Sequence, residues 1–514
     1  MNEQRTTAQR LVYNTAFNIA ALVSNAVIGF FMIRFLLGRL GEDSYGVWVL
    51  IGGTLFRYSP LLSIGLNSSI NRYIPLYLAK DDPDGIQRVV STSLFVFAIL
   101  AILVVVISLV IYFNVASWFV IEPELVGTAG ILVLVVGFSL VVATPLQPSS
   151  AILSGLQRYD LINLVLLTLL FSRTALLVLL LSRGYGLLTV GITYGVNEIV
   201  VRALHSIFVR RLLPEVSLKA AKIDLGLLKE MLIYGTNTFL YATGAVIIYQ
   251  ASSLIIGAFL GTAQVSRFFV ATIAVFLLSQ LVVAFTAAIK PAVSDLDARD
   301  DGGTVKEIGF LTQKYSLLLI IPGGFFLVVM GGEFLQICFS DRFEDPTALD
   351  GMAAILAIIT VAHCARLAQH SNFMVLVGRG QHKIFGVLTA VMAMLCVSLS
   401  VLSVKVLDWG LIGIAWSNFL PMVLICGVIL PVYFNWKMRI STLECVARVW
   451  WPAVLGSLPV VGVISVWKYV APPDSWLEIL GVVAVAMAVT FVGGWFLSLK
   501  DVERRLFARI VRRR

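Results

Sequence analysis

The sequence predicts an all-α polytopic membrane protein of about fourteen transmembrane helices: two pseudo-symmetric six-helix lobes followed by two C-terminal helices. Three observations carry this prediction. Hydrophobic residues make up 59% of the chain and charged residues 13%, with a mean hydropathy of +0.94. Apolar windows of the roughly 20 residues that cross a bilayer recur along the whole chain, and polar signatures at their ends repeat. This composition excludes an ordinary soluble globular protein.

The spans follow one another with short polar gaps between them, so each has a neighbour of opposite direction. Their boundaries are approximate because hydropathy marks the apolar centre of a helix better than its ends. The predicted ranges are 13–37, 44–66, 89–112, 127–150, 160–182, 187–209, 231–257, 263–288, 315–335, 351–376, 384–406, 411–434, 449–470 and 477–498.

The connections between spans are unequal in positive charge, which predicts the orientation. Alternate loops hold most of the Lys and Arg residues outside the spans, and positively charged loops stay on the cytoplasmic side. We therefore expect a cytoplasmic (inner) membrane protein with both termini in the cytoplasm. The basic segment 500–514 then lies beside the last span, where anionic lipid headgroups are a better partner than nucleic acid. The outer loops hold only Arg39, Arg183, Arg342, Lys405 and Lys468.

The five cysteines are scattered and form no C-x-x-C pair, so the sequence indicates neither a zinc site nor a disulfide framework. We expect no metal and no cofactor. The positions are Cys338, Cys364, Cys396, Cys426 and Cys445.

The chain repeats itself in parallel orientation. The segment INRYIPLYLAKDD (70–82) matches IKPAVSDLDARDD (289–301) at an offset of 219, and GLLTVGITY (186–194) matches GLIGIAWSN (410–418) at an offset of 224. Internal symmetry of this kind is the usual architecture of secondary transporters. The repeat predicts an N-lobe at 1–218, a C-lobe at 219–436 and a segment at 437–514 with spans 13 and 14 and the basic tail.

Three segments resemble a known family: FLLGRLGEDSYGVW (35–48), GLNSSINRY (65–73) and SGLQRYD (154–160). They look like the polysaccharide-exporter branch of the multidrug, oligosaccharidyl-lipid and polysaccharide superfamily, which includes repeat-unit flippases and is similar to lipid II flippases. The resemblance implies two bundles around a central cavity, alternating access, and a polyprenyl-diphosphate-linked oligosaccharide as substrate. It also implies a lateral groove for the lipid tail at spans 13 and 14. Polysaccharide polymerase or chain-length proteins are the partners it suggests beside membrane lipids.

The ionisable residues well inside the spans, away from their ends, are almost all basic, and Glu198 is the one acidic residue among them. A charge at mid-bilayer costs roughly 2.5 to 3.5 kcal/mol, so such residues normally face a bundle interior or a watery cavity. Guanidinium groups bind phosphate oxygens bidentately and stay charged at any working pH. The sequence thus predicts a cavity for an anion such as a lipid-linked pyrophosphate. The arginines are Arg34, Arg57, Arg173, Arg202, Arg267 and Arg366.

Three of these arginines are our candidate substrate-binding residues. Arg57 lies at mid-depth in span 2, where snorkelling is hardest, and the resemblance places a cavity arginine there. Arg267 begins span 8, so it could lie at the membrane interface. The resemblance to lipid II flippases nevertheless favours a cavity arginine on that span. Arg34 is near the outer end of span 1, where snorkelling to the interface explains it equally well.

Polar residues of two further spans complete the candidate sites. Asn237 and Tyr241 on span 7 share a helix face and suit a sugar, although interhelical packing explains them as well. Glu198, His363 and His370 are the candidates for ion coupling. Arg202 lies one turn after Glu198, which favours a neutralising ion pair, and the two histidines share one face of span 10 at i, i+7.

Two other functional classes have less support in the sequence. An enzyme is not expected, because the sequence has no sizeable extramembrane domain, no D-x-D signature in a loop and no Walker motif. The serious alternative is an ion-coupled multidrug exporter of the same superfamily. Members of that branch resemble one another in carrying acidic residues on spans 1 and 7, whereas here span 1 has none and span 7 has none after Glu230 at its inner end.

Overall fold

The computed structural model describes the backbone of residues 7–217, 219–286, 289–298, 302–343, 345, 347–381 and 383–499. Every regular element in these ranges is a helix. The side chains of residues 7–21 and 23, and of a few later positions that include Asn237, lie outside the description.

In the described part of the chain, twenty-one α-helices follow one another, several joined by single turns of 3₁₀ or π-helix. They are α1 (Thr7–Val47), α2 (Thr54–Tyr58), α3 (Leu66–Ala79), α4 (Pro83–Trp118), α5 (Pro123–Ala143), α6 (Pro148–Gly155), α7 (Tyr159–Ser182), α8 (Leu187–Leu212), α9 (Leu225–Phe259), α10 (Thr262–Thr286), α11 (Ile289–Ala298), α12 (Gly302–Val329), α13 (Gly331–Phe339), α14 (Ala348–Ala368), α15 (His370–Gly378), α16 (Lys383–Lys405), α17 (Gly410–Leu424), α18 (Leu430–Lys437), α19 (Thr442–Cys445), α20 (Trp451–Val470) and α21 (Trp476–Gly493).

In the described residues, thirteen helical stretches are long and apolar enough to cross a membrane. The first of them, Ser24–Ser63, is 40 residues long, about 60 Å at the rise of an α-helix and thus about twice the thickness of a hydrocarbon core. Gly41 interrupts it with a φ of 80°, a left-handed conformation that suits glycine. This stretch therefore holds predicted spans 1 and 2, which agrees with the expectation of about fourteen spans.

The described chain separates into two compact units, residues 1–266 and 267–514. Inside the first unit, α3 packs on α4 and α6, and α8 packs on α5 and α7. Inside the second, α11 packs on α12 and α15, and α17 packs on α14 and α16. The same pairs thus recur in the same chain order, as the repeat predicts. The unit boundary differs from the lobe boundary drawn from the repeat at 218/219, which stays a prediction.

A second trace of the repeat is found at the turns that open spans 2 and 8. The dipeptides Leu40-Gly41 and Leu260-Gly261 are 220 residues apart. Both glycines have positive φ, 80° and 96°, because the chain must reverse sharply there between two long helices.

Helix α9 is packed within the first unit. The connector that leads to it is fixed on α4, since Gln87 Nε2 donates to the carbonyl oxygen of Ser217 at 2.9 Å and Ser217 N donates to Gln87 Oε1 at 2.7 Å. The Asp224 carboxylate then caps α9 by accepting from Leu227 N at 2.9 Å.

In the second unit, α20 packs on both α12 and α21, with Met330, Val460, Ile464 and Val482 at the core of the contact. Span 9 lies earlier than hydropathy indicates, because α12 runs from Gly302 to Val329. The predicted span 9, 315–335, leaves Lys314 in the connection before it, whereas α12 includes Lys314.

Lys314 is only 3% exposed in the first half of α12, and its ammonium donates to the carbonyl oxygen of Ser498 at 3.3 Å. Ser498 ends the last helical turn of the described chain. A lysine at a helix C-terminus meets unsatisfied carbonyl groups, which makes its burial tolerable.

Candidate functional site

The second span is not a regular helix. A π-helical turn occupies Trp48–Gly53, and α2 follows for five residues. A 3₁₀ turn then occupies Ser59–Ser63, with Pro60 as its second residue. Ile64 and Gly65 then take left-handed conformations, φ 46° and 77°, before α3 begins. Interrupted helices of this kind are typical of substrate sites in transporters, and π-turns are frequent at functional sites.

Local chemistry explains why the chain bends here. The Thr54 hydroxyl donates to the carbonyl oxygen of Val49 at 3.1 Å, five residues back, which supports the wide π-turn. The indole of Trp48 lies over Gly52, where a Cβ would come within 2.2 Å of the ring. A larger residue at Gly52 would displace that indole.

Arg57 stands on α2, between the π-turn and the 3₁₀ turn, and its side chain is exposed. Its Nη1 donates to Oε1 of Gln250 on α9 at 3.3 Å. Tyr45 and Tyr194 lie close enough to Arg57 to interact with it electrostatically. The predicted arginine of span 2 therefore lies in the middle of a broken helix, where a neutral amide accepts a hydrogen bond from it.

A second arginine approaches the same neighbourhood. The guanidinium of Arg173 on α7 lies 4.1 Å from the ring centroid of Tyr194 on α8. The ring of Tyr194 in turn lies 4.8 Å from Trp48 and 6.4 Å from Phe56. The sequence indicates Arg173 as an arginine inside a span, but no pattern relates it to Arg57 because the two lie on different helices. Only the fold places Tyr194 beside both.

Helix α9 runs antiparallel along the second span through contacts that we call the α9 seam: Gly65 with Gly235, Arg57 with Gln250, and Leu50 with Gly257. A Cβ at Gly235 would lie 2.7 Å from the carbonyl oxygen of Gly65, and a Cβ at Gly257 would lie 2.6 Å from Leu50 Cδ1. The two flanking contacts are thus close van der Waals contacts, while the central contact is a hydrogen bond. Gln250 is 7% exposed and was not predicted.

The seam continues beyond both ends. Beyond Gly65 and Gly235, Ser69 Oγ donates to the carbonyl oxygen of Met231 at 2.5 Å, and the Arg72 guanidinium lies 4.4 Å from the ring centroid of Tyr234. Beyond Leu50 and Gly257, Thr262 Oγ1 donates to Oδ1 of Asp43 at 2.7 Å.

Arg267 belongs to the second unit and lies half-buried, five residues into α10. Its Nη1 is 4.0 Å from Oδ2 of Asp345, in the connection between α13 and α14. Hydrogen bonds from Thr347 lower the pKa of the Asp345 carboxyl, so the partner is ionised at neutral pH. This geometry is the one expected of an interfacial arginine; the binding role of Arg267 stays a prediction.

The remaining candidate binding residues are less informative. Arg34 is half-buried on α1, and Tyr241 is half-buried on α9. The backbone of Asn237 belongs to α9, while its side chain lies outside the described residues. Their roles stay predictions.

Glu198 forms the ion pair that its spacing predicts. Its Oε1 is 2.7 Å from Nη2 of Arg202 on the next turn of α8. Arg202 Nη1 also donates to Ser150 Oγ at 3.0 Å, and Ser150 Oγ lies 2.7 Å from Nδ1 of His205. The pair thus continues into a polar chain between α6 and α8. His205 is buried and was missed by sequence reasoning, because one histidine in an apolar helix carries no pattern.

The two histidines of predicted span 10 lie on either side of a turn at Gln369. α14 ends at Ala368 and α15 begins at His370, and both belong to one helical stretch, Ala348–Gly378. The shared helix face of the histidines stays a prediction. His363 is buried, and Nδ1 of His370 lies 2.8 Å from Oγ1 of Thr286. Among the described residues, no group of three or more His, Cys, Asp or Glu side chains could hold a metal ion.

An apolar groove of 520 Å³ lies in the second unit between α10, α12 and α21. Leu278, Tyr315, Phe326, Met487 and Trp495 are among its lining residues. Lys314 lies next to it, with its ammonium 5.2 Å from the centroid of the Tyr315 ring. The groove suits a long hydrocarbon chain better than a polar ligand.

Comparison with solved structures shows a shared fold. The lipid II flippase MurJ in an inward closed conformation superposes with a TM-score of 0.69 at 15% identity, covering 93% of this chain and 97% of that one. An inward-facing multidrug resistance MATE family transporter of the MOP superfamily gives 0.64 at 15% identity, covering 83% and 98%. A MOP superfamily transporter from Pyrococcus furiosus, described as having a binding pocket of reverse polarity, gives 0.55 at 16% identity, covering 82% and 95%.

Identities this low establish the fold and nothing finer. No curated protein sequence matches the chain. The sequence model of one family, described as "Polysaccharide biosynthesis protein", matches residues 80–348, which is more than half of the chain. The protein is a multi-pass membrane protein with the MOP superfamily fold, and it belongs to this polysaccharide biosynthesis family.

Proposed function

We propose that the protein is a flippase that moves a polyprenyl-diphosphate-linked oligosaccharide across the cytoplasmic membrane by alternating access. The observation that carries the proposal is Arg57, an exposed cation in the middle of an interrupted membrane helix, held by a neutral amide. A cation placed there attracts anions, and its planar fork matches the oxygens of a pyrophosphate.

The site would be built mainly by the first unit. Arg57 would bind the pyrophosphate, with Arg173 as a second positive charge beside Tyr194. Arg267, Arg34, Asn237 and Tyr241 stay proposed as additional contacts.

The lipid tail of the substrate requires an apolar path. The groove between α10, α12 and α21 has such a lining, and we assign the polyprenyl chain to it. A polysaccharide polymerase or a chain-length protein would then receive the sugar on the outer side.

The drug-exporter alternative has less support at this site. An acidic group in a membrane-spanning helix marks a path for cations when its charge is available, whereas Glu198 is paired with Arg202. Glu198, His363 and His370 stay the proposed ion-coupling residues. A flippase and an exporter share this fold, so the charge of the transported molecule separates them.

The test is translocation of a fluorescent lipid-linked oligosaccharide in proteoliposomes, followed by quenching from one side. We expect Arg57→Ala to reduce the initial rate at least tenfold and Arg57→Lys to retain part of it, since lysine restores charge but not the bidentate fork. Arg183→Ala, at an exposed arginine in the turn after α7, is the matched control and should transport normally. Full activity of Arg57→Ala, or competition by an organic cation, would refute the proposal.

The orientation is part of the proposal, with both termini in the cytoplasm. Reporter fusions after Arg342 and after Arg439 should read outside and inside respectively. The same side for both would overturn the assignment.

A further inference from the structure

We propose that Gln250 is a positioning residue that latches Arg57 in the empty protein, and that the substrate's phosphate opens this latch by taking over the guanidinium. The inference rests on the proposed function, because it requires Arg57 to meet a phosphate. It goes further in assigning a role to Gln250 and in stating how binding reaches α9.

The hydrogen bond between Arg57 and Gln250 is a weak one. The distance from Arg57 Nη1 to Gln250 Oε1 is 3.3 Å, longer than the roughly 2.7 to 2.9 Å of a charge-assisted hydrogen bond to an anion. A neutral amide oxygen at this distance is a weak partner, and a phosphate oxygen is a stronger competitor.

The position of Gln250 makes its bond to Arg57 the one that a substrate can replace. Gln250 is the polar contact at the centre of the α9 seam, between Gly65–Gly235 and Leu50–Gly257. The outer contacts are van der Waals contacts that a ligand's phosphate does not address. The central bond is therefore the part of the seam that a substrate anion can exchange for a contact of its own.

Loss of the Arg57–Gln250 bond changes the contact between α2 and α9. A ligand shifts a conformational equilibrium only through a difference in its interaction with the two states. Releasing Gln250 removes a bond between α2 and α9, and the phosphate–Arg57 contact replaces it on one side only. Substrate binding therefore loosens α9 from the second span, the movement that exposes the opposite side of the site in alternating access.

Two substitutions change the latch in opposite directions. Gln250→Glu replaces the neutral amide with a carboxylate, which should bind Arg57 as an ion pair and neutralise it. We expect a rise of at least tenfold in the half-saturating substrate concentration. Gln250→Met keeps the length of the side chain and removes the acceptor, so the seam should be looser before any substrate is added.

The closeness of α3 and α9 is measured by cross-linking Tyr73→Cys to Glu230→Cys with a short bismaleimide. The native side chains meet beyond the Gly65–Gly235 contact, with Tyr73 Oη 3.4 Å from Glu230 Oε2. The native cysteines among the described residues, four of them buried, serve as background in the single-cysteine controls. We expect lipid-linked oligosaccharide to reduce cross-linking at least threefold in the otherwise unchanged protein. Cross-linking should stay high with substrate in Gln250→Glu and should already be low without substrate in Gln250→Met.

Matched controls are Gln264→Glu and Gln264→Met, at a half-buried glutamine of α10 that is not part of the seam; both should behave as the parent protein. A packing role for Gln250 predicts equal loss of folded protein in both Gln250 variants, measured by thermal unfolding, and no opposite shift in cross-linking. If Arg57→Ala is inactive while both Gln250 variants transport and cross-link like the parent, the latch is refuted and the flippase proposal stands. If Arg57→Ala transports fully, the proposed function fails first.

Discussion

Gly65 and Gly235 meet backbone to backbone: a Cβ on Gly65 would lie 2.4 Å from the carbonyl oxygen of Gly235, and a Cβ on Gly235 would lie 2.7 Å from that of Gly65. Gly65 has a left-handed φ of 77°, which strains any substitution there regardless of space. Gly235 lies inside α9 without that constraint, so it isolates the effect of the contact.

Gly235→Ala should push α3 and α9 apart, because neither backbone group can move aside as a flexible side chain does. Overpacking of this kind costs about 1 to 3 kcal/mol, and we expect a lower thermal unfolding midpoint in detergent. Gly127→Ala on α5 is the control, since its Cβ would meet no atom within 4 Å. Equal midpoints for the two variants would show that the contact is not tight.

Arg173→Ala should reduce the initial translocation rate about tenfold, because the site loses a cation that stacks on Tyr194, a contact of roughly 0.5 to 2 kcal/mol that grows with desolvation. Arg173→Lys should restore part of the rate, since lysine keeps the charge but not the planar stacking. The measurement is the proteoliposome rate, normalised to folded protein. Arg210→Ala, at an exposed arginine near the end of α8, controls for surface charge, and parent-like transport by Arg173→Ala would remove Arg173 from the site.

Glu198→Ala should lower stability by about 2 kcal/mol, because Arg202 loses the carboxylate that compensates its charge. The double variant Glu198→Ala/Arg202→Ala should be more stable than Glu198→Ala alone, since it leaves no unpaired charge. Thermal unfolding of the single and double variants tests this. Glu198→Gln in a proton gradient tests ion coupling separately: loss of gradient-driven transport with normal stability would assign Glu198 to coupling rather than to structure.

Met487→Trp should obstruct the groove between α10, α12 and α21. We expect translocation of a long polyprenyl substrate to fall at least fivefold, while a short-chain analogue that does not fill the groove is transported normally. Leu480→Trp is the control on the same helix, because Leu480 is exposed and does not line the groove. Equal inhibition of both chain lengths would indicate that the groove does not hold the lipid tail.

Much of the fold was predictable because hydrophobic length and loop signatures are local properties of the sequence. The Glu198–Arg202 pair was predictable for the same reason, since a spacing of four residues places side chains together on any α-helix. The break between His363 and His370 was not, because the turn at Gln369 carries neither proline nor glycine. The place of Lys314 inside α12 was not predictable, because a charged residue beside an apolar window is typical of a loop. Only the fold brings it to the Ser498 carbonyl that it binds.

The candidate site was predictable as a set of residue types and not as an arrangement. A lone arginine in span 2 indicates an anion, but Gln250 is 193 residues away from it. No pattern within either segment relates the two. The π-turn before Arg57 depends on the Thr54 hydroxyl and on the Trp48 indole over Gly52, which are individually ordinary residues.

The glycine turns at Gly41 and Gly261 have an evolutionary meaning. Six spans return the chain to the side on which it started, so two tandem copies of one ancestral gene would insert with the same orientation without any redesign of their topology. A pair of identical copies would carry the cation of span 2 twice. At the spacing of the two glycines, the position that corresponds to Arg57 is Leu277, so the two halves differ in charge at this position.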